Sequence, residues 1–343
     1  MLNFAGRREG EGLKKTYYIF SSGALKRRDN TIYFQSENEQ KHYIPIADTS
    51  DIVVFGEVDI NKRFLEFLSQ QEVMLHYFSH YGYYMGTFYP REHLNSGYMI
   101  LKQAEFYLDE TRRLDIAKRF VEGALRNILR VLKYYENRGK DVAERINTIE
   151  DLLPAIDVCD DIPALMAIEG NARDQYYRAF DEIIGLPDFT FESRSRRPPK
   201  NHLNALISFG NSLLYTTCLS EIYRTHLDPR IGYLHTTNFR RFSLNLDLAE
   251  IFKPIIVDRV IFTLLGRKMI TSDDFEKGTE GIMMKEKARQ IFVSQYEDKL
   301  KTTIKHRDIG RNVSYRRLIR LELYKLEKHL MGEKAYEPLV ATW

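Results

Sequence analysis

Two acidic residues three apart, Asp247 and Glu250, stand in the segment SLNLDLAEIFKP among Leu244, Leu246, Leu248, Ile251 and Phe252. On a helix that spacing puts both carboxylates on one face, with Pro254 and Asp258 continuing it. Two carboxylates in so apolar a stretch repel each other and are costly to bury. A divalent cation relieves both problems. So does exposure at a helix end, or pairing with Arg240, Arg241 or Arg259. Pro254 is expected to start, kink or break the helix. Glu169, in ALMAIEGNARDQYYRAF, shares a helical face with Leu165, Ala172 and Tyr176. A carboxylate there needs a partner, a proton or a metal; the simplest partner is Arg173, four residues on. His235 follows a glycine in IGYLHTTN, a polar loop between helical segments, where an ordinary surface histidine is the simplest reading. Together, Glu169, His235, Asp247 and Glu250 would give a mixed carboxylate–imidazole site. Hard oxygen ligands suit Mg²⁺ and Mn²⁺, and one imidazole tilts the choice toward Mn²⁺. No cysteine lies near these residues, so a structural zinc site is not expected.

Basic residues cluster close by in sequence. Arg194, Arg196, Arg197 and Lys200 lie in the Pro/Arg-rich break ESRSRRPPKN, and Arg240, Arg241 and Lys253 bracket the acidic pair. Arg316, Arg317, Arg320, Lys325 and Lys328 sit near the C-terminus, with Glu322 and Glu327 at hand as internal partners. Local basic clusters in a near-neutral chain can hold phosphate backbones; a solvated face is the other reading. The sequence has no GxGxxG, Walker P-loop, HExxH or GxSxG, which argues against nucleotide-driven, zinc-peptidase and serine-hydrolase chemistry.

The elements that must position these residues change character along the chain. Up to about residue 90, short runs rich in Tyr, Phe, Ile and Val read as strands: Lys15–Phe20, Thr31–Gln35, His42–Ile46, Asp51–Phe55, Val73–Phe78 and Tyr83–Phe88. One helix, Asp59–Gln70, interrupts them. From Tyr98 the apolar residues recur every three or four positions, through Leu132 and then in Val142–Leu152, Pro163–Ile184, His202–Arg224, Leu246–Arg267, Glu280–Leu300 and Tyr315–Leu330. The expected fold class is α+β, with a β-rich, sandwich-like domain over 1–92 and a mostly α-helical domain over 97–343. With 343 residues, 43% of them hydrophobic and 29% charged, the chain is an ordinary globular protein rather than a disordered one. Its longest apolar stretch is broken by Lys253, Asp258 and Arg259, so no membrane span is expected, and the N-terminus shows no secretory signal. The two cysteines, Cys159 and Cys218, fit a reducing cytoplasm.

The segments YYIFSSGALKRRDNTIYF (Tyr17–Phe34), VVFGEVDI (Val53–Ile60), IEGNARDQYY (Ile168–Tyr177), RPPKNHLNALISFGNSLLY (Arg197–Tyr215), LDPRIGYLH (Leu227–His235), SLNLDLAEIFKPIIVDR (Ser243–Arg259) and YRRLIRLELYKLEKHLMGE (Tyr315–Glu333) occur in an order and spacing that is specific. In them the chain resembles the CRISPR adaptation integrase family, metal-dependent endonucleases and integrases that insert new spacers. The resemblance runs from about Lys15 to Pro338. It implies that Glu169, His235 and Glu250 are metal ligands and catalytic residues, with Asp247 at a second acidic position of the same site and Asn204 nearby. Relatives often carry aspartate where Glu250 stands, so the longer glutamate arm implies different ligand geometry or a share for Asp247. The first fourteen residues extend beyond the family's usual start.

The resemblance further implies a prokaryotic, cytoplasmic enzyme using Mn²⁺ or Mg²⁺ on DNA: protospacer fragments, the CRISPR repeat and branched DNA. It implies a homodimer formed through the β-rich domains and a small companion CRISPR adaptation protein. Arg194, Arg196, Arg197, Lys200, Arg240 and Arg241 would hold DNA backbone rather than read bases. Two other readings stay open: a DNA-binding scaffold without a productive metal site, and a metallohydrolase of small phosphoesters.

Overall fold

The computed structural model describes residues 14–91, 94, 96–196, 198–235, 242–278, 281–305 and 310–342. The chain divides into two compact units, Met1–His93 and Leu94–Trp343.

The first unit holds two four-stranded sheets, giving the β-rich, sandwich-like half of the expected α+β class. One sheet takes β1 (Lys15–Ile19), β5 (Thr49–Val54), β7 (Met74–Phe78) and β8 (Tyr84–Phe88) in that order. Its first three strands are parallel and β8 runs antiparallel to β7. The other takes β4 (Lys41–Ile44), β3 (Thr31–Ser36), β2 (Gly23–Arg28) and β6 (Val58–Ile60). Helix α1 (Lys62–Gln70) carries the chain from β6 to β7, and Asn61 caps it by accepting from Phe64 N at 3.0 Å. Leu25, Ile32, Ile52, Phe64, Leu68 and Val73 are buried together in the core. Strands β2 and β6 were not expected. The run GALKRR offers one inward side chain, Leu25, among charges; it is a strand because β3 and β6 pair with it on both sides.

The second unit is mainly helical: α2 (Gly97–Leu108), α3 (Glu110–Glu136), α4 (Ala143–Glu150), α5 (Leu153–Val158), α6 (Ile162–Ile184), α7 (His202–Ile222), α8 (Leu244–Phe252), α9 (Arg259–Gly266), α10 (Glu286–Lys301) and α11 (Tyr315–Leu330). Two short antiparallel pairs stand within this mostly helical unit. They are β9 (Phe275–Lys277) with β10 (Ile282–Met284), and β11 (Thr303–Lys305) with β12 (Asn312–Ser314). Three-residue strands carry too little pattern to be read from sequence. Helix α7 is apolar nearly all round and lies buried, packing against α8. Helix α3 packs against both α8 and α6, so α3, α6, α7 and α8 form the frame of this unit.

The helical run over Leu246–Arg267 is broken at Pro254, as the proline requires. Helix α8 stops at Phe252, and Pro254–Asp258 forms a π-helical turn before α9. Proline has no N–H to donate to the carbonyl four residues back, and the ladder resumes with Asp258 N donating to Lys253 O at 3.1 Å, five residues back. All five residues of the turn are buried.

The frame is tied to the C-terminal tail through Asn127 on α3. Its Nδ2 donates to Ile251 O at 3.0 Å and Leu339 O at 2.9 Å, and its Oδ1 accepts from Ala341 N at 2.8 Å. Asn127 is fully buried. Replacing it with leucine leaves two carbonyls and an N–H without partners. Asn127→Leu is expected to cost about 3 kcal/mol of stability in urea unfolding; a loss below about 1 kcal/mol would mean that the tail is held by other contacts.

Candidate metal centre

Helix α6 starts at a clear signal. Asp161 caps it, accepting from Ala164 N at 2.7 Å, and Pro163 sits in its first turn. It ends at Gly185, whose φ of 65° is left-handed. Leu165, Ala172 and Tyr176 are fully buried, as their shared face with Glu169 requires. Glu169 itself keeps 21% of its side chain exposed. Four residues on, Arg173 Nε donates to Glu169 Oε1 at 3.3 Å, the ion pair anticipated from spacing.

Arg173 does more than close that local pair. Its Nη2 donates to Glu250 Oε2 on α8 at 2.6 Å, so one guanidinium bridges two helices and two carboxylates. Lys253 donates to the other Glu250 oxygen. Among the described residues Glu250 is therefore paired with Arg173 and Lys253. Burial works to raise the Glu250 pKa, but Lys253 and Arg173 outweigh it and hold the carboxyl below its ordinary value. Burial raises the Glu169 pKa, and the neighbouring Glu250 charge adds to the rise. Glu250 has the shorter bond to Arg173 and the second cation, so it carries the charge more readily.

Asp247, one helical turn earlier on α8, is fully buried and differently engaged. Its Oδ2 accepts from Tyr233 N at 2.5 Å and Leu234 N at 3.0 Å, and its Oδ1 accepts from His235 N at 2.9 Å and His235 Nδ1 at 2.7 Å. Four donors thus converge on one carboxylate. A carboxylate only accepts, so the His235 proton lies on Nδ1 and Nε2 is the nitrogen left for other work. Burial works to lower the His235 pKa, but the Asp247 hydrogen bond and charge, with Glu250, more than offset it and raise it.

The loop that carries His235 is held in place by residues that sequence reading missed. Gln103 on α2 donates to Asp228 O at 3.1 Å and Ile231 O at 3.3 Å, and accepts from Asp228 N at 2.7 Å. Ser243 accepts from Gly232 N at 2.9 Å and donates to Arg230 O at 2.7 Å. Gly232 is needed there: a Cβ would meet Asp247 Oδ2 at 2.8 Å. These contacts span up to 128 residues, and no local pattern announces them.

The basic candidates divide. Arg194 is half-buried and fixed: it donates to Asn204 Oδ1 at 2.8 Å and Ser208 Oγ at 3.0 Å. Asn204 is buried and pins the segment from both sides, accepting from Ser195 N at 3.2 Å and donating to Ser193 O at 2.8 Å. Arg196 and Lys200 are exposed. Arg197, Arg240 and Arg241 lie outside the described residues. On α11, Arg316 pairs with Glu297, Arg320 with Glu221 and Lys325 with Glu322.

Glu169, Glu250 and His235 thus come from α6, α8 and the loop before α8, and the Glu250 charge acts on each of the other two. Two carboxylates and an open imidazole nitrogen suit a divalent cation by donor chemistry. In this structure the carboxylates are held by Arg173 and Lys253. Among the described residues, no three His, Cys, Asp or Glu side chains stand ready-grouped around one metal position.

The chain's relatives place it in a known class. The family model described as CRISPR associated protein Cas1 matches residues 17–298. A protein of Thermodesulfovibrio yellowstonii, named CRISPR-associated endonuclease Cas1 2, is 58% identical over 331 residues, 96% of this chain and 100% of its own length. A solved structure of a CAS1 protein from Thermotoga maritima superposes with a TM-score of 0.87 at 49% identity, covering 95% of this chain and 99% of that one. A casposase bound to integration product has the same fold, with a TM-score of 0.85 at 20% identity over 94% of this chain and 92% of that one. Together the likenesses define the class of CRISPR-associated Cas1 endonucleases. The chain belongs to the Cas1 family.

Asp258, in the π-helical turn, is fully buried, and neither of its oxygens completes a hydrogen bond among the described residues. Burial pushes its carboxyl up from the ordinary 3.8 to about 7, against the pull of Arg173, Lys253 and Tyr176. The folded chain therefore holds this proton more tightly than the unfolded one. The associated stability is fully present below about pH 3.8 and is lost as the pH rises through about 7. In EDTA, the unfolding midpoint is expected to fall between about pH 5 and about pH 8, and Asp258→Asn to flatten that fall in calorimetry. Equal slopes in the two proteins would show that Asp258 is ionised throughout.

Proposed function

We propose that this chain, a CRISPR-associated endonuclease and spacer integrase by family, performs its chemistry at Glu169, His235 and Glu250 with one divalent cation, Mn²⁺ before Mg²⁺. The observation that carries the reading is the Arg173 bridge, which joins carboxylates from two separate helices, with the Glu250 charge also acting on His235. Glu169, Glu250 and His235 would hold the cation, which would supply activation of an attacking hydroxyl and positive charge for the phosphoryl group.

The chain's own groups divide the remaining work. Glu169 and Glu250 supply hard oxygens, and His235 supplies Nε2. Asp247 is a positioning residue rather than a ligand, because its oxygens are already engaged by four donors. A 3′-hydroxyl of a protospacer fragment attacks a phosphodiester at the edge of the CRISPR repeat. The new P–O bond forms as the old one breaks, and the cut strand leaves with a free 3′-hydroxyl. With water as the attacking group, the same displacement is endonuclease cleavage, as on branched DNA. Arg194, held by Asn204 and Ser208, presents a fixed cation to a phosphate, and Arg196 and Lys200 extend the basic surface.

The first unit serves as the dimerisation domain and the second as the catalytic domain, in a homodimer that works with a small companion adaptation protein in the prokaryotic cytoplasm. The casposase of the same fold, which holds an integration product, supports strand transfer as the reaction. No helix among the described residues is long and apolar enough to cross a membrane.

The test is strand transfer and cleavage on a labelled branched DNA carrying a repeat junction, with Mn²⁺, Mg²⁺ or EDTA. Wild type is expected to be active with metal and silent in EDTA. Glu169→Ala and His235→Ala are expected to lose at least about a hundredfold in rate while still binding DNA, with affinity that falls steeply as salt rises. Equal activity in the variants would refute the assignment. DNA binding lost in step with activity would favour the scaffold reading, and activity on small phosphoesters with little salt dependence would favour the hydrolase reading.

A further inference from the structure

The proposed metal would take carboxylate oxygens that Arg173 and Lys253 hold, so Arg173 would need another acceptor. Arg173 is buried, with 8% of its surface exposed. A guanidinium has donors on three nitrogens in a rigid fork. Arg173 uses Nε on Glu169 and Nη2 on Glu250, and its buried Nη1 has no hydrogen-bond partner among the described residues. The buried carboxylate of Asp258 is likewise unfilled: among the described residues neither oxygen completes a hydrogen bond. The two side chains lie close enough for each to feel the other's charge, and Arg173 is the strongest influence holding the Asp258 pKa down. Tyr176, whose hydroxyl is also buried without a full hydrogen bond, lies on α6 one turn from Arg173 and acts on the same carboxyl.

Buried polar groups without partners are uncommon and costly, and here donor and acceptor are unfilled within one neighbourhood. A divalent cation at Glu169 and Glu250 would stand beside a guanidinium that already occupies both carboxylates. Like charges at that range in a buried site cannot share the same acceptors. The guanidinium needs another acceptor nearby, and Asp258 offers one with both oxygens open.

We infer that Arg173 is a built-in counter-ion with two seats: it clasps Glu169 and Glu250 in the metal-free protein and moves to Asp258 when a divalent cation takes those carboxylates. The inference rests on the assignment of Glu169 and Glu250 as metal ligands. It makes Arg173 and Asp258 positioning residues that set metal affinity without touching the metal. A fixed structural Arg173 would instead support the ligands in both states.

The two roles predict opposite signs. The measurement is Mn²⁺ affinity of the full chain without DNA, from the loss of the free-ion electron paramagnetic resonance signal, together with the thermal midpoint in EDTA and in Mn²⁺. In Arg173→Met the competitor is gone, so Mn²⁺ is expected to bind about tenfold tighter, while the EDTA midpoint falls and Mn²⁺ restores more of it than in wild type. In Asp258→Asn the second seat is weakened, so binding is expected to weaken at least about fivefold, while the neutral-pH EDTA midpoint holds or rises. Weaker or equal binding by Arg173→Met overturns the inference. Should that variant fail to fold, Asp258→Asn decides alone, and unchanged affinity there also overturns it. Glu169→Ala separates the two levels. Wild-type affinity surviving in that variant defeats the ligand assignment, whereas affinity lost there but unmoved by Asp258→Asn defeats only the exchange.

Discussion

Two carboxylates held side by side in a nearly dry interior cannot both remain charged unless positive charge lies between them. Arg173 and Lys253 supply that charge to Glu169 and Glu250, and the organisation of the helical unit follows from keeping them there. Arg173 spans α6 and α8, so its ion pairs also act as a tie between those helices. Removing one partner of such a buried pair typically costs about 3–5 kcal/mol, because the other is left uncompensated. The arrangement contributes less to net stability than its contacts suggest, since each ion was first taken out of water. Its value lies in holding like charges at a spacing that water would otherwise dissolve.

Around this pair the chain uses two different ways of satisfying a buried acid. Glu250 receives cationic side chains, which a competing cation can displace. Asp247 receives three backbone N–H groups and an imidazole, donors that stay where they are. The first kind of acid suits a site that gains and loses an ion; the second suits a support that must not move. The supports extend outward through Gln103 and Ser243, which fix the His235 loop by backbone contacts alone. The π-helical turn contributes in the same way. Pro254 breaks the α-helical ladder, and the reset turn leaves Asp258 buried rather than facing water.

Much of this was legible beforehand, for identifiable reasons. The Glu169–Arg173 pair follows from a spacing of four on a helix whose start and stop are marked by Asp161, Pro163 and Gly185. The change from strand pattern to helix pattern near residue 90 lies where strand-rich sheets give way to helices. Strand β2 and the two small hairpins were illegible because short strands draw their stability from neighbours on either side, not from their own residues. The break at Pro254 could be foreseen from the missing N–H, but not the π-helical form it takes.

The sequence by itself determined which residue types could serve as ligands and that α6 and α8 would each carry an acid on a buried face. These are matters of side-chain chemistry and helical period, and both are local. Only the tertiary structure decided that Glu169 and Glu250 share one guanidinium 77 residues from the second of them, that Asp247 serves His235, and that Asp258 is buried with its oxygens free of hydrogen bonds. Those outcomes depend on which helix faces pack together. Packing is settled by burial summed over the whole unit, so no single segment carries the information.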